Sequence, residues 1–505
     1  MDVFDIQGGT QPPKSIFQYE PQLGYIQLLQ IRDFGEHPVP TYVPDTDTLK
    51  KCTEQDILIA RYGASLGRIL TGLSGAYNVA MAKVDIPEGI YNQFVYHLLR
   101  TEIFQAPLRL ISRSAQSGFN KQDLADIELP IAPFNEQRRI ADKLDSLLAR
   151  VDVCRERLDR APRLLKRFRQ AVLATAVLGE LTEDWRKENY NLESGPDLFI
   201  RLQEQFRGDF IHRIWSYQEE RHAERPLPES WLYVPVEAVG EVFLGRQRSP
   251  KNHSGPHMHP YVRAANITWN GWNFSDVKEM NFDARDFERY KLQVGDVLVN
   301  EGSGSADEVG KPAIWRGEIE NCCFQNTLIC VRPFEKMSEY LYLVFLHAAL
   351  SKAFVAETRG IGIRHIGKER FAAFLIPLPP IREQQEIVRR VAVLFNFADR
   401  LETRYRRACA IVGQLTPALL NKAFRAELVP QDLNDEPASV LLERIRLMRA
   451  TAEENVSKPR QRKSVSGKPS QSQVIMLKRK DIQPSHLSNI LKAYGSMTAE
   501  VNERP

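Results

Sequence analysis

The feature that most constrains this chain is a long-period repeat. Pro130-Ile131-Ala132-Pro133-Phe134-Asn135-Glu136-Gln137 returns 247 residues later as Pro377-Leu378-Pro379-Pro380-Ile381-Arg382-Glu383-Gln384, and Glu180-Leu181 returns as Glu427-Leu428 at the same offset. A repeat of this length decides architecture before any local pattern does. Two copies of one domain-plus-helix unit predict a two-fold-like arrangement suited to a target with two halves.

The strongest periodic signal follows each copy of that motif. Ile140, Leu144, Leu147, Val151, Cys154, Leu158, Ala161, Leu165, Phe168 and Val172 alternate steps of four and three. Ile387, Val391, Leu394, Ala398, Leu401, Tyr405, Ala408, Val412, Leu415 and Leu419 repeat the pattern at the same offset. Both runs keep heptad spacing for long enough to form a coiled-coil seam. The first spans roughly 50 Å at ~1.5 Å per residue. Matched length and phase predict that the helices pair antiparallel, with Leu144, Leu147, Val151, Leu158 and Leu165 facing Val391, Leu394, Leu401, Val412 and Leu415. The alternative is two helices packed separately, each on its own domain. Pro162 and Pro417 fall inside the runs, where kinks are expected.

Ahead of the first seam the pattern is strand-rich. Asp56-Ile57-Leu58-Ile59-Ala60-Arg61 is an apolar strand entering a glycine-containing loop, and Asn78–Val84 is a second strand. The second copy echoes this with a drifting offset. Tyr25-Ile26-Gln27 matches Tyr261-Val262-Arg263, Asp56–Ile59 matches Asp296–Val299, and Asn78 matches Asn326. Drift marks insertions in loops, so the scaffold repeats while the loops differ. The expected fold is α+β: two α/β domains, separated by two long antiparallel coiled-coil helices, in a pseudo-two-fold repeat. The domains are assigned to residues 1–133 and 226–380. Residues 134–225 hold the first long helix and a following helical segment at Leu198–Gln203. Residues 381–450 hold the second and a helical region near Leu441–Arg446. Residues 451–505 read as a basic flexible linker with a short helical tail.

Charge and composition narrow the function. The net charge of +4 is misleading, because Lys458, Arg460, Arg462, Lys463, Lys468, Lys478, Arg479 and Lys480 lie in one acid-free stretch. Without them the body is slightly acidic, so any nucleic-acid site must be local. The tail adds sequence-blind affinity or serves only as a soluble linker. No apolar run approaches a membrane span, and the acidic start argues against a signal peptide, so the expected location is cytoplasmic. None of the six cysteines forms a C-x-x-C pair, which argues against zinc. Cys154 and Cys409 are expected to be small buried hydrophobes. His253, His257 and His259 cluster in one loop, read as polar surface before metal site.

No catalytic residue, metal or cofactor is assigned. There is no Asn/Asp-Pro-Pro-aromatic motif, no P-loop, and only one Asp/Glu-x-Lys, Asp276-Val277-Lys278. Gly302-Ser303-Gly304 follows a strand but reads as loop glycine.

The proline-rich entry with Glu-Gln at the head of a long heptad helix, occurring twice, resembles the specificity (S) subunits of type I restriction-modification systems. Leu227-Pro228-Glu229-Ser230-Trp231 resembles the opening of a recognition domain in that family. Leu173–Thr182 resembles the end of its first spacer helix, and Asp435–Ile445 its C-terminal region. The Leu-Pro-x-x-Trp opening has no first-copy counterpart, so either the first domain starts abbreviated or the chain start lies upstream of Met1. The resemblance implies a non-catalytic subunit that recognises a bipartite asymmetric target in double-stranded DNA. Its partners would be two modification (methyltransferase) subunits, which methylate adenine, and restriction subunits, which cleave. The rival class is a coiled-coil scaffold with two partner-binding domains and no DNA readout.

Base readout needs Arg, Lys, Asn or Gln at base edges, with basic and hydroxyl groups on phosphates. The first-domain candidates are Lys14; Arg61, Tyr62, Ser65 and Arg68; and Arg113, Gln116, Ser117, Asn120 and Lys121. The last group lies just before the proline-rich hinge, where the family places a DNA-facing loop. The second-domain candidates are Arg246, Arg248 and Lys251; Arg263; Asn300 and Ser303; and Arg359, Arg364, His365 and Lys368. Each cluster alone reads as a solvated loop; its double occurrence sets a DNA contact level with that reading.

Overall fold

The computed structural model describes residues 3–114, 118–191, 193–206, 227–303, 308–354 and 364–457. Two domains share one strand plan. In the first, an antiparallel sheet sets Asp5–Gly8, Met81–Asp85, Leu58–Ala60 and Ile69–Leu70 side by side. In the second, Gly240–Leu244, Leu328–Pro333, Val297–Asn300 and Pro312–Ile314 take the same order. Leu58, Ile59 and Ala60, like Val297, Leu298 and Val299, are buried on both faces, which is why these runs are apolar without alternation. A smaller sheet repeats as well: Tyr42–Pro44, Tyr25–Leu29 and Gly75–Tyr77 correspond to Lys278–Asn281, Met258–Val262 and Cys323–Phe324. Strands pair antiparallel throughout, except for one parallel pair in each small sheet.

That parallel pair corrects the expected match between the copies. Leu28 and Leu29 face Ala76 and Tyr77 as Tyr261 and Val262 face Cys323 and Phe324. Tyr261 is therefore matched by Leu28, not Tyr25, and Arg263 by Gln30, not Gln27. Asn78 N–H donates to the Leu29 carbonyl where Gln325 N–H donates to that of Val262, so Asn78 matches Gln325, not Asn326. Identity of side chains misled the alignment; ladder register is set by backbone pairing. The match of Asp56–Ile59 to Asp296–Val299 agrees with the backbone, since Gly67 N–H bonds Ala60 as Gly310 N–H bonds Asn300.

The two long helices, Phe134–Val177 and Ile381–Phe424, each run about 66 Å at ~1.5 Å per residue. They lie antiparallel: Arg155 donates to Thr416 (2.9 Å), while Arg169 reaches Asp399 (2.6 Å) and Glu402 (2.9 Å). Phe168 meets Phe397 edge-on at 6.5 Å between ring centres. The seam is dry only toward its ends, where Ile140, Leu144, Val151 and Val172 are buried on one helix and Ile387, Val391 and Ala398 on the other. Between them Leu158, Leu165, Leu394, Leu401, Val412 and Leu415 are half-buried, because a two-helix ribbon covers each seam from one side only. Leu148 is buried where Leu147 was expected, and Leu147 is half-buried. Cys154 is exposed and Cys409 half-buried, against expectation, since both sit at the edge of that thin middle. Both helices are continuous through Pro162 and Pro417.

The structure explains the recurring motif at the helix heads. The proline-rich entry leaves carbonyls without donors, and the glutamine supplies one. Gln137 Nε2 donates to the Ala132 carbonyl (2.8 Å) and Gln384 Nε2 to that of Pro379 (2.9 Å). Gln137 also accepts from Tyr91 N–H (2.8 Å), joining the helix to its own domain. The last helix, Ala438–Ser457, extends into the stretch read as linker. The tail calls beyond it, including Ser485–Val501, lie outside the described residues.

One buried contact ties the first domain to the spacer. His97 is buried, and its Nε2 lies 2.8 Å from Asp145 of the first long helix, which also accepts from Gln93 (2.9 Å). Burial pulls the His97 imidazole below its ordinary range, and the Asp145 contact offsets this only in part. The folded state thus binds fewer protons than the unfolded chain below pH about 6.5, and stability is lost as pH falls through that region. His97→Gln should flatten this slope when thermal unfolding midpoints are compared from pH 7.5 to 5.5. An unchanged slope would show that the ring carries no such linkage.

Candidate nucleic-acid interface

In each domain, two loop clusters distant in sequence come together. In the first, Arg61 donates through Nε (3.2 Å) and Nη2 (3.1 Å) to the Phe119 carbonyl. A side chain at Gly118 would lie 2.2 Å from the Arg61 carbonyl, so the loop after Leu58–Ala60 and the loop before the hinge touch through backbone. In the second, Gly302–Ser303 pairs with Arg364–His365 as a short ribbon, continued by Ile366 N–H donating to Glu301 (2.8 Å). An early loop joins the surface in both copies. A Cβ at Gly9 would lie 2.2 Å from the Asn78 carbonyl, and one at Gly245 would lie 2.5 Å from that of Phe324. Both glycines therefore let the chain cross close over the sheet.

The structure divides the candidate residues into committed and free. Arg61 is spent on Phe119 and lies over the Tyr62 ring at 5.2 Å, so it holds the loop and is not offered to a base. Arg246 grips the Asn281 carbonyl, pairs with Asp286 at 2.7 Å and covers the Phe282 ring, which engages both of its terminal nitrogens. Arg263 pairs with Asp276. Asn300 is 3 % exposed, which removes it from any base edge. Arg68 donates to the Phe34 carbonyl (2.8 Å), and Asn120 caps the turn at Gln122 (2.7 Å). Lys121 pairs with Asp5 at 2.5 Å and Lys368 with Glu369 at 3.4 Å, both at exposed sites where such pairs are weak and open readily.

Lys14, Arg248 and Lys251 are exposed, and among the described residues none is tied to an acid. Lys14 and Lys251 stand in single 3-10 turns, Lys14–Ile16 and Pro250–Asn252, that follow the two glycine crossings. Tyr62 and His365 are also exposed, and Ser65 is half-buried in its turn. Only the backbone is described for Arg113, Ser303 and Arg364, and Gln116, Ser117 and Arg359 lie outside the described residues. His259 of the histidine loop stacks on Phe287 at 4.1 Å, and among the described residues no His/Cys/Asp/Glu group is placed to hold a metal ion.

Three features escaped the sequence in whole or in part. Glu301 sits beside the ribbon, and burial pushes its carboxyl above the ordinary range while His365 pulls it back. Trp269 is exposed at the tip of the Ile267–Trp272 hairpin, with the Lys311 ammonium 6.0 Å from its ring. Glu301 lies in the candidate loop between Asn300 and Ser303, and only its burial was hidden; Trp269 belongs to no periodic pattern or charge cluster. Glu383 is a third. It is 1 % exposed and accepts from Thr182 (2.7 Å), Arg186 Nε (3.0 Å) and Trp231 Nε1 (2.8 Å), which locks the entry of the second domain and the segment past the end of the first long helix to the head of the second. The sequence displayed the Glu-Gln pair but not these partners.

If the free cations meet phosphates, Lys14→Ala, Arg248→Ala and Lys251→Ala should weaken duplex binding about equally for all sequences. Each should lower the slope of log affinity against log salt by about 0.9. Binding measured at several salt concentrations checks this, and an unaltered slope sinks the assignment.

Comparison with known proteins accords with this geometry. The family model described as type I restriction modification DNA specificity domain matches residues 1–162 and 228–407. The type I restriction enzyme EcoKI specificity subunit of Escherichia coli (strain K12) is 30% identical over 423 residues, covering 80% of this chain and 83% of that protein. The EcoBI specificity subunit of Escherichia coli is 28% identical over 448 residues, covering 85% and 87%. Among solved structures, one from a study of complex assembly and conformational transition of the type I R-M system superposes with TM-score 0.57 at 18% identity, covering 84% of this chain and 98% of the other. The HsdS subunit from Thermoanaerobacter tengcongensis superposes with TM-score 0.52 at 18% identity, covering 80% and 91%. The two structures share the fold, and the family model and sequence relatives carry the assignment: this chain belongs to the specificity subunits of type I restriction-modification systems.

Proposed function

We propose that this chain reads a bipartite, asymmetric duplex site, one half with each domain, and positions modification and restriction subunits there. The observation that carries this is the antiparallel helix pair, which holds two like-folded domains on one rigid element. Residues 1–133 and 226–380 are the reading domains, 134–225 and 381–450 the spacer and its helical extensions, and 451–505 a basic tail. Lys14, Arg248 and Lys251 take phosphates. Tyr62, Ser65, Asn120, Lys121, His365 and Lys368, with Arg113, Gln116, Ser117, Ser303, Arg359 and Arg364 on the adjoining segments, supply the contacts nearest the bases. The chain itself is a non-catalytic component. Adenine methylation belongs to two modification subunits, one for each half of the repeat, and cleavage to restriction subunits, all in the cytoplasm. Paired rods set the separation of the half-sites near one turn of duplex, roughly 34 Å.

Two experiments test this reading, both scored by mapping methylated positions genome-wide with and without the gene. Exchanging residues 1–125 for the matching part of a relative should change one half of the recognised sequence and leave the other intact; a change in both halves contradicts modular reading. Inserting four residues into the half-buried middle of the first long helix should widen the unread gap between the halves. A constant gap defeats the ruler.

A further inference from the structure

The turn that follows the first strand of the small sheet matches in the two domains up to one residue and then departs. In the first, Asp33 accepts from Gln30 N–H (2.8 Å); in the second, Asn266 accepts from Arg263 N–H (3.0 Å). Beyond Phe34 the first domain runs through Gly35 to the strand at Tyr42 with no strand pair between them. The second builds a hairpin there, Ile267–Thr268 against Gly271–Trp272, turning at Trp269 and Asn270. This hairpin is braced against the edge strand Pro312–Ile314. Trp272 Nε1 donates to the Ile314 carbonyl (2.8 Å), and its ring meets Trp315 edge-on at 5.3 Å. Thr268 Oγ1 donates to the Gly271 carbonyl (2.8 Å) across the turn. With Trp272 beside Ile314 and Trp269 beside Lys311, the hairpin lies along that strand. Its tip therefore stands at the end of the main sheet where Pro312 pairs with Val299, the end from which Gly302–Ser303 leaves.

We infer that Trp269 is a specificity-determining residue of the second domain, its indole set against the 5-methyl group of one thymine in the major groove of the second half-site. The inference rests on the reading of DNA by that domain and adds one residue to it. Where two scaffolds agree and a loop differs, the loop carries the recognition. The cation just past the reading loop is matched, Arg68 by Lys311, since each follows the glycine that closes the loop on Ala60 or Asn300. Arg68 donates to the Phe34 carbonyl (2.8 Å), whereas the Lys311 ammonium lies 6.0 Å from the Trp269 ring. Lys311 is only 6 % exposed and also pairs with Glu308, so it positions the indole, and the indole is what the surface offers. At 38 % exposure Trp269 lies along the surface and does not project from it. A flush apolar group suits a thymine methyl at a base edge, while a wedge between base steps needs a side chain that stands clear.

The test uses the full-length chain in complex with its modification subunits, on the duplex that methylation mapping identifies. Each thymine of the second half, on either strand, is replaced in turn by deoxyuridine, which removes the methyl and keeps every hydrogen-bonding group. One replacement should weaken binding about fourfold, the worth of one buried methyl. The Trp269→Ala complex should be indifferent to that replacement yet keep its full discrimination in the first half, which also shows that the variant is folded. The absence of any deoxyuridine-sensitive thymine, or equal sensitivity in the variant, overturns the inference. A uniform loss of binding to every duplex overturns it too, as the mark of a structural role. So does a variant that reads DNA unchanged but assembles poorly with its partner subunits, the mark of a protein contact. All these results leave the DNA reading standing. An unaltered complex that does not prefer its site to a scrambled duplex sinks that reading, and this inference with it.

Discussion

Everything in the described fold leans on the pairing of two long helices that run in opposite directions. Neither helix could hold its apolar stripe in water alone, since a lone amphipathic helix gains little from its own hydrogen bonds and much from burying one face. Antiparallel pairing places the head of each helix beside the tail of the other, so each domain meets both. Glu383 makes this visible: one carboxylate binds Thr182 and Arg186 from beyond the end of the first helix and Trp231 from the entry of the second domain.

The middle of the ribbon is its least covered part. Leu158, Leu165, Leu401 and Val412 are half-buried there, and Leu164 and Ile411, 247 residues apart, are both exposed. A cross-helix hydrogen bond from Arg155 to Thr416 and ion pairs from Arg169 to Asp399 and Glu402 keep the register where packing is thin. Their orienting value outweighs their energy, since exposed pairs contribute only about 0–1 kcal/mol. The dry ends, where domains pack on the helices, supply the stability.

Much of this was legible from residues because repetition amplifies weak signals. A proline-rich entry, a Glu-Gln pair and a heptad seam are each common; twice in one order they specify a scaffold. The same logic failed where side chains drift faster than backbone. Tyr25 and Tyr261 look equivalent but sit three positions apart in the ladder, because the smaller sheet conserves hydrogen-bond register and not residue type. Charge was a poor guide to the surface. Arg61, Arg246 and Arg263 were natural candidates for DNA, and each is tied to a carbonyl or a carboxylate inside its own domain.

The sequence by itself determined the periodic and the repeated: two copies, two heptad helices, and strands apolar enough to be buried. These follow from spacing along one chain, which local stereochemistry converts directly into helix and strand. Tertiary structure decided which of the described cations are free, which loops meet, and what covers the second hinge. Those outcomes depend on partners brought from dozens or hundreds of residues away, as with Trp231 on Glu383, and no spacing rule along the chain encodes which donor reaches which acid.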